Sequence, residues 1–165
     1  MLSTRLAILF GVGIVVMGTV LFFVLYSNKG SHLELKGRIL KVRTGALSAD
    51  DSIAVLDFRV ENPSDVPFVV RQVEVTLDKK DGQTEDGATV ARSDLKQLFS
   101  YNRFLGDPYN DVLTIKDTVP PHATVDRMVA ARFSVKNADL ESAKAVRLNI
   151  ESVDGPHFET SQSVK

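Results

Sequence analysis

Residues 53–77 read IAVLDFRVENPSDVPFVVRQVEVTL, two apolar-alternating runs separated by an Asn, two Pro and an Asp. Ala54, Leu56, Phe58 and Val60 fall on one face of the first run, and Val69, Val73, Val75 and Leu77 on one face of the second. Asp57, Arg59, Glu61, Gln72, Glu74 and Thr76 fall on the opposite faces. A period of two with a turn between the runs predicts neighbouring antiparallel strands, one face buried and one wet. On that reading Phe58 is core, and replacing Asp57 by Ala costs little.

Outward from this pair the same pattern recurs. Residues 33–43 predict a first strand, with a bulge near Gly37 where the apolar parity shifts. Asp81-Gly82 and Asp86-Gly87 read as turns, with a short edge piece over residues 88–91. Ser93 opens a short helix as its cap, Asp94 suits the first turn, and Leu95, Leu98 and Phe99 make one buried stripe ending by Asn102. Residues 112–116 predict a strand, and Pro120 and Pro121 make residues 118–126 an extended connection. Val129, Ala131, Phe133 and Val135 mark a further strand, Asn137 caps a single helical turn, and Val146, Leu148 and Ile150 line another strand before a last one over residues 158–164. Seven or eight short strands with turns between them predict an all-β, immunoglobulin/fibronectin-III-like antiparallel sandwich with one short helix. Its expected core is Leu56, Phe58, Val73, Val75, Phe133, Leu148 and Ile150.

The first part of the chain has a different composition. Residues 6–26 carry no formal charge and are dense in Leu, Ile, Val and Phe, between Arg5 and Lys29. At ~1.5 Å per residue a helix of about 21 residues crosses a hydrocarbon core of roughly 30 Å. A cleaved export signal has a shorter apolar region and a small-residue cleavage site, and Leu25-Tyr26-Ser27 is a poor one. The expected organisation is therefore a head (1–5), a transmembrane signal-anchor helix (6–26) in contact with membrane lipid, a tether (27–32) and a β-sandwich domain (33–165). Lys29, Lys36, Arg38, Lys41 and Arg43 outnumber Arg5 across the span, which by count alone keeps the domain in the cytoplasm. Lys36 onward is expected in a folded strand, so the preferred topology has the head inside and the domain extracytoplasmic. Ser3, Ala7 and Gly11 recur at four-residue intervals, a small-residue face for helix packing that competes with plain lipid-facing filler.

Asn62-Pro63, with Pro67 four residues on, and Val119-Pro120-Pro121 leading into residues 129–135, resemble motifs of the water-stress and hypersensitive-response domain of type-2 late-embryogenesis-abundant proteins. They are also similar to bacterial membrane-anchored immunoglobulin-like accessory domains. The resemblance spans roughly residues 33–155. It departs at Ser64, where the family prefers Asn, and at His122, where it prefers Gly. It implies an immunoglobulin-like sandwich behind one membrane helix, associated with stress tolerance and without catalytic residues. Asn62 and Pro63 have a local account as well, an Asx-turn ending a strand.

Composition removes several chemistries. With 20 Lys plus Arg against 21 Asp plus Glu, nothing in the average charge favours nucleic acid. No cysteine is present, so disulfides, thiolates and Cys-ligated metals are excluded. His32, His122 and His157 lack zinc-ligand spacing, no serine lies in a nucleophile elbow, and no Gly-rich loop follows a strand. Asp78, Asp81, Glu85 and Asp86 crowd one hairpin without the spacing of a calcium loop. No enzyme, cofactor or metal site is expected.

What remains is a membrane-tethered binding or structural module, with stress association implied by the resemblance, or else a small accessory subunit of a larger membrane complex whose sandwich is an extracytoplasmic cap. Either class needs a protein partner. Phe104, Leu105 and Tyr109, in the loop 102–110, are more apolar than a loop requires and are the candidate contact residues, unless Phe104 and Leu105 fold back to cover the core beside Leu98 and Phe99.

Overall fold

A computed structural model describes the backbone of residues 4–27 and 34–164 and, within the first helix, the side chains of Gly11 and residues 13–23. The chain divides into two units, Met1–His32 and Leu33–Lys165. In the first, α1 (Thr4–Ser27) is 24 residues long and covers the whole of residues 6–26. Every side chain described in it is exposed. Taken over the described residues alone, no helix is long and apolar enough to cross a membrane. Of the tether expected over residues 27–32, only Ser27, at the end of α1, lies within the described residues.

The second unit is an antiparallel β-sandwich. Its strands are β1 (Lys36–Ala46), β2 (Ser52–Glu61), β3 (Phe68–Asp78), β4 (Thr84–Thr89), β5 (Thr118–Val119), β6 (Thr124–Phe133), β7 (Ala145–Ser152) and β8 (His157–Gln162). β2 lies between β1 and β6 in one sheet, and β7 lies between β3 and β8 in the other. β4 joins them: Thr84 to Gly87 pair with β3, after which Ala88 and Thr89 pair with β6. The inward residues of both sheets meet in one core, with Leu56, Phe58, Val75, Phe133, Leu148 and Ile150 buried as the alternation predicts. Val73 differs, being only partly buried.

Two bulges move the expected parities. In β3 the register slips between Val70 and Gln72, so Phe68 and Val70 point inward before it and Val75 and Leu77 after it, and Val69 does not. In β1 the slip lies between Ile39 and Lys41 rather than at Gly37. Gly37 is needed for another reason: a Cβ there would collide with the carbonyl of Arg59. Gly87, expected in a turn, lies inside β4, where an added Cβ would stand 2.7 Å from the Phe133 ring. The strand expected over residues 112–116 is reduced to a single bridge from Val112 to Met128.

α2 (Arg92–Tyr101) forms where the Leu95, Leu98 and Phe99 stripe places it, although no side chain caps it and Ser93 instead bonds its neighbour Asp94. α3 (Asn137–Glu141) begins with Asn137, whose amide bonds Glu141 rather than capping. The largest difference is on the outer face of β2. Ile53, Val55, Met128 and Ala130 form a second apolar cluster covered by Leu95, Leu105 and Val112. The face expected to be wet is therefore a buried layer for most of its length, and Asp57 is buried with it.

Candidate functional site

The covering layer ends in a tip built from the C-terminus of α2 and the chain that follows. Asn102 closes α2, its backbone N–H reaching the Leu98 carbonyl and its side-chain amide donating to the Ala46 carbonyl on the β1–β2 turn at 3.0 Å. Residues Arg103–Leu105 form one 3₁₀ turn, and Gly106, at φ 69°, reverses the chain. This turn separates the expected contact residues. Leu105 is fully buried against the second cluster, while Phe104 is 96% exposed. Tyr109 is 64% exposed, and Tyr101, which sequence reasoning did not single out, is 90% exposed.

One side chain from β1 holds the tip in place. The Arg43 guanidinium donates to the carbonyls of Leu105 at 2.6 Å and Asp107 at 2.8 Å. It lies 2.9 Å from the Asp57 carboxylate, with both side chains under a tenth exposed. Tyr109 and Phe99 cover it, their ring centres 5.0 and 5.4 Å from its central carbon. Asn110 donates to the other Asp57 oxygen at 3.0 Å, tying the far end of the loop to the same pair. A planar five-donor cation suits this work, because it can satisfy two carbonyls and a carboxylate at once while stacking between rings. Nothing in the sequence marked Arg43 for this role, since it was read only as one of the cations of the first strand. The only available signal was that Ile53 and Val55 share the parity of Asp57, so that the second face was apolar at its start.

The other candidates have structural partners. Asn62 is buried; its amide donates to the carbonyls of Val66 and Val119, and its oxygen accepts from the Ser64 N–H and hydroxyl. Asn62 thus closes the turn and ties it to the Pro-rich connection. In the acidic hairpin Asp78 pairs with Arg147, Glu85 with Lys79, and Asp86 accepts from Thr76. Among the described residues no cluster of three His, Asp or Glu could hold a metal. Two carboxylates outside the Arg43–Asp57 pair are perturbed: hydrogen bonds from Arg59 hold Asp126 below the usual carboxylate range, and bonds from Arg132 and Ser48 do the same for Asp51. Of the small-residue face, Ser3 and the side chain of Ala7 lie outside the described residues, while Gly11 is exposed in α1.

No family model matches this chain, and no curated protein matches it. Among solved structures it is similar to the archaellum periplasmic stator protein FlaG from Sulfolobus acidocaldarius, at 12% identity and a TM-score of 0.38 over 78% of this chain and 99% of that one. An uncharacterised β-sandwich protein from Clostridium difficile 630 matches at 10% identity and 0.40, covering 78% and 85%. The archaellum periplasmic stator complex of FlaF and FlaG from Sulfolobus acidocaldarius matches at 13% and 0.33, covering 78% and 87%. Scores below 0.5 at such identities carry neither fold nor function from those proteins to this one.

Proposed function

We propose that this chain is a single-pass membrane protein whose extracytoplasmic, immunoglobulin-type sandwich is a non-catalytic module for binding another protein, as a tethered module or as the cap of an accessory subunit. The observation that carries the binding reading is the tip, where Tyr101, the last residue of α2, and Phe104, on the 3₁₀ turn fastened from beneath by Arg43 and Leu105, stand almost fully exposed. Exposed aromatics on a rigid turn offer large contact area with few torsions left to order. The immunoglobulin assignment is supported by strand order: β1-β2-β6-β4 against β3-β7-β8 corresponds to the ABED and CFG sheets of that fold. Support for the membrane helix comes from the unbroken helix over an uncharged stretch. Support for the topology comes from β1, which contains Lys36, Arg38, Lys41 and Arg43, so those cations belong to a folded domain rather than a short flanking loop.

Separate Tyr101→Ala and Phe104→Ala substitutions in the full chain test the reading, with unfolding and recovery of membrane-associated protein partners measured on the same preparations. Loss of partners at unchanged stability supports a contact site. Unchanged association with both variants removes it. The stress association implied by Asn62-Pro63 and Val119-Pro120-Pro121 is a proposal of the same kind, and growth of a deletion strain under desiccation is its test.

A further inference from the structure

Where β4 leaves β3 to join β6, the two sheets part and open a cleft along the edge of β3. Two adjoining cavities of about 610 and 360 Å³ share Gln72, Val73 and Thr89 as lining and make this cleft continuous. Val73 is only partly buried although its strand parity directs it inward, because the cleft removes its cover. The backbone edge is open at the same place. On one side of the gap, Val70 exchanges hydrogen bonds with Asp117 and Lys116; on the other, Val75 is opposite Gly87. Between them, residues 71–74 meet no strand on this edge among the described residues.

The alternation of the ladder gives the direction of the free groups. Ser152 donates its N–H to Pro156, towards β8, so Ile150, two residues earlier in β7, also turns its backbone to β8. Its partner across the ladder is Val73, which therefore turns its N–H and C=O away from β7 and into the cleft. The gap spans five residue steps, roughly 17 Å of extended chain. Its floor is apolar, with Leu113 and Val129 buried beneath it and Ile115 exposed at its rim. Arg71 and Arg92 stand at the Val70 end with side chains more than half exposed, each with one carboxylate neighbour, Glu151 for Arg71 and Asp117, at 3.8 Å, for Arg92.

We infer that this cleft accepts a short extended segment of a partner protein as an added strand on β3, antiparallel to it like β4 and β5, with alternate apolar side chains on the floor. That direction carries the segment's C-terminal end from Gly87 towards Arg71 and Arg92, so a carboxylate belongs there. This is a second surface, separate from the aromatic tip, and does not depend on it.

The test uses the full-length ¹⁵N-labelled protein in detergent micelles and one probe, the peptide acetyl-Thr-Val-Thr-Val-Asp with a free carboxyl terminus. At about 1 mM, a concentration that detects even weak association, the peptide is expected to slow hydrogen exchange at the Val73 amide about tenfold. The same peptide N-methylated at both valines is expected to leave that amide unchanged, and Arg92→Gln is expected to weaken binding about threefold. Three results overturn the inference: no slowing at Val73, equal slowing by the N-methylated peptide, or slowing in peptide-free protein that grows with protein concentration. The last would assign the cleft to a second copy of this chain.

Discussion

Replacing Asp57 by Ala separates the sequence-based expectation from the observed structure. A carboxylate on a wet strand face is dispensable, whereas here its removal leaves the Arg43 guanidinium buried without its counter-ion. Both side chains are under a tenth exposed and 2.9 Å apart. Breaking a pair of that kind costs about 3–5 kcal/mol, most of it the penalty of the stranded charge. Against a total stability of about 5–15 kcal/mol this is severe. For a domain of this size it corresponds to a fall in Tm of roughly 10–20 °C. The assay is thermal unfolding of the full chain in detergent, followed by the β-sheet circular dichroism signal. Arg43→Met and the double variant complete the cycle. Met retains apolar bulk between Phe99 and Tyr109 but removes the charge, so the double variant is expected to be about 2–3 kcal/mol more stable than the sum of the single losses. A cost below about 1 kcal/mol for Asp57→Ala, with additive single effects, refutes the account of Arg43 as the tip's fastening.

Leu105→Ala is expected to lower stability by about 2–5 kcal/mol, whereas the adjacent Phe104→Ala stays within about 0.5 kcal/mol, both read from denaturant midpoints. Gly87→Ala is expected to destabilise by about 1–3 kcal/mol through overpacking on Phe133, and a neutral result would contradict its placement inside β4. Asp126 and Asp51 are expected to titrate below the usual carboxylate range by NMR. Their small, salt-screened contribution is complete above the unfolded-state value of about 3.9 and is lost as pH falls through the lower folded-state values. Titration of Asp126 unchanged by Arg59→Gln would contradict the assigned cause. Lys in place of Ile14 is expected to weaken membrane insertion by about 2–3 kcal/mol, measured as the fraction resisting alkaline extraction.

The inter-sheet core was legible because its signal is a period of two, and Leu56, Phe58, Val75, Phe133, Leu148 and Ile150 all lie where that period puts them. Val69 was misplaced because a bulge changes the parity without changing composition. The covering layer was hidden for a different reason. Ile53 and Val55 share a face with Asp57, Arg59 and Glu61, and the charged half of that face dominated its reading. Only the three-dimensional return of residues 95–112 over β2 shows that the apolar half is covered. The loop's apolar residues marked the tip, but the pattern could not tell Leu105 from Phe104, since one 3₁₀ turn sends neighbours in opposite directions. Arg43 was unreadable because its partners, Asp57 and the carbonyls of Leu105 and Asp107, come from distant parts of the chain.

Site-specific photo-crosslinking from position 104 in intact membranes tests the binding account most directly, with position 96 on α2, outside the aromatic tip, as control. The account predicts a discrete adduct to one protein from position 104, absent from position 96 and reduced when Arg43 is replaced by Met. No adduct from position 104, or the same adducts from both positions, would contradict the tip as a contact site.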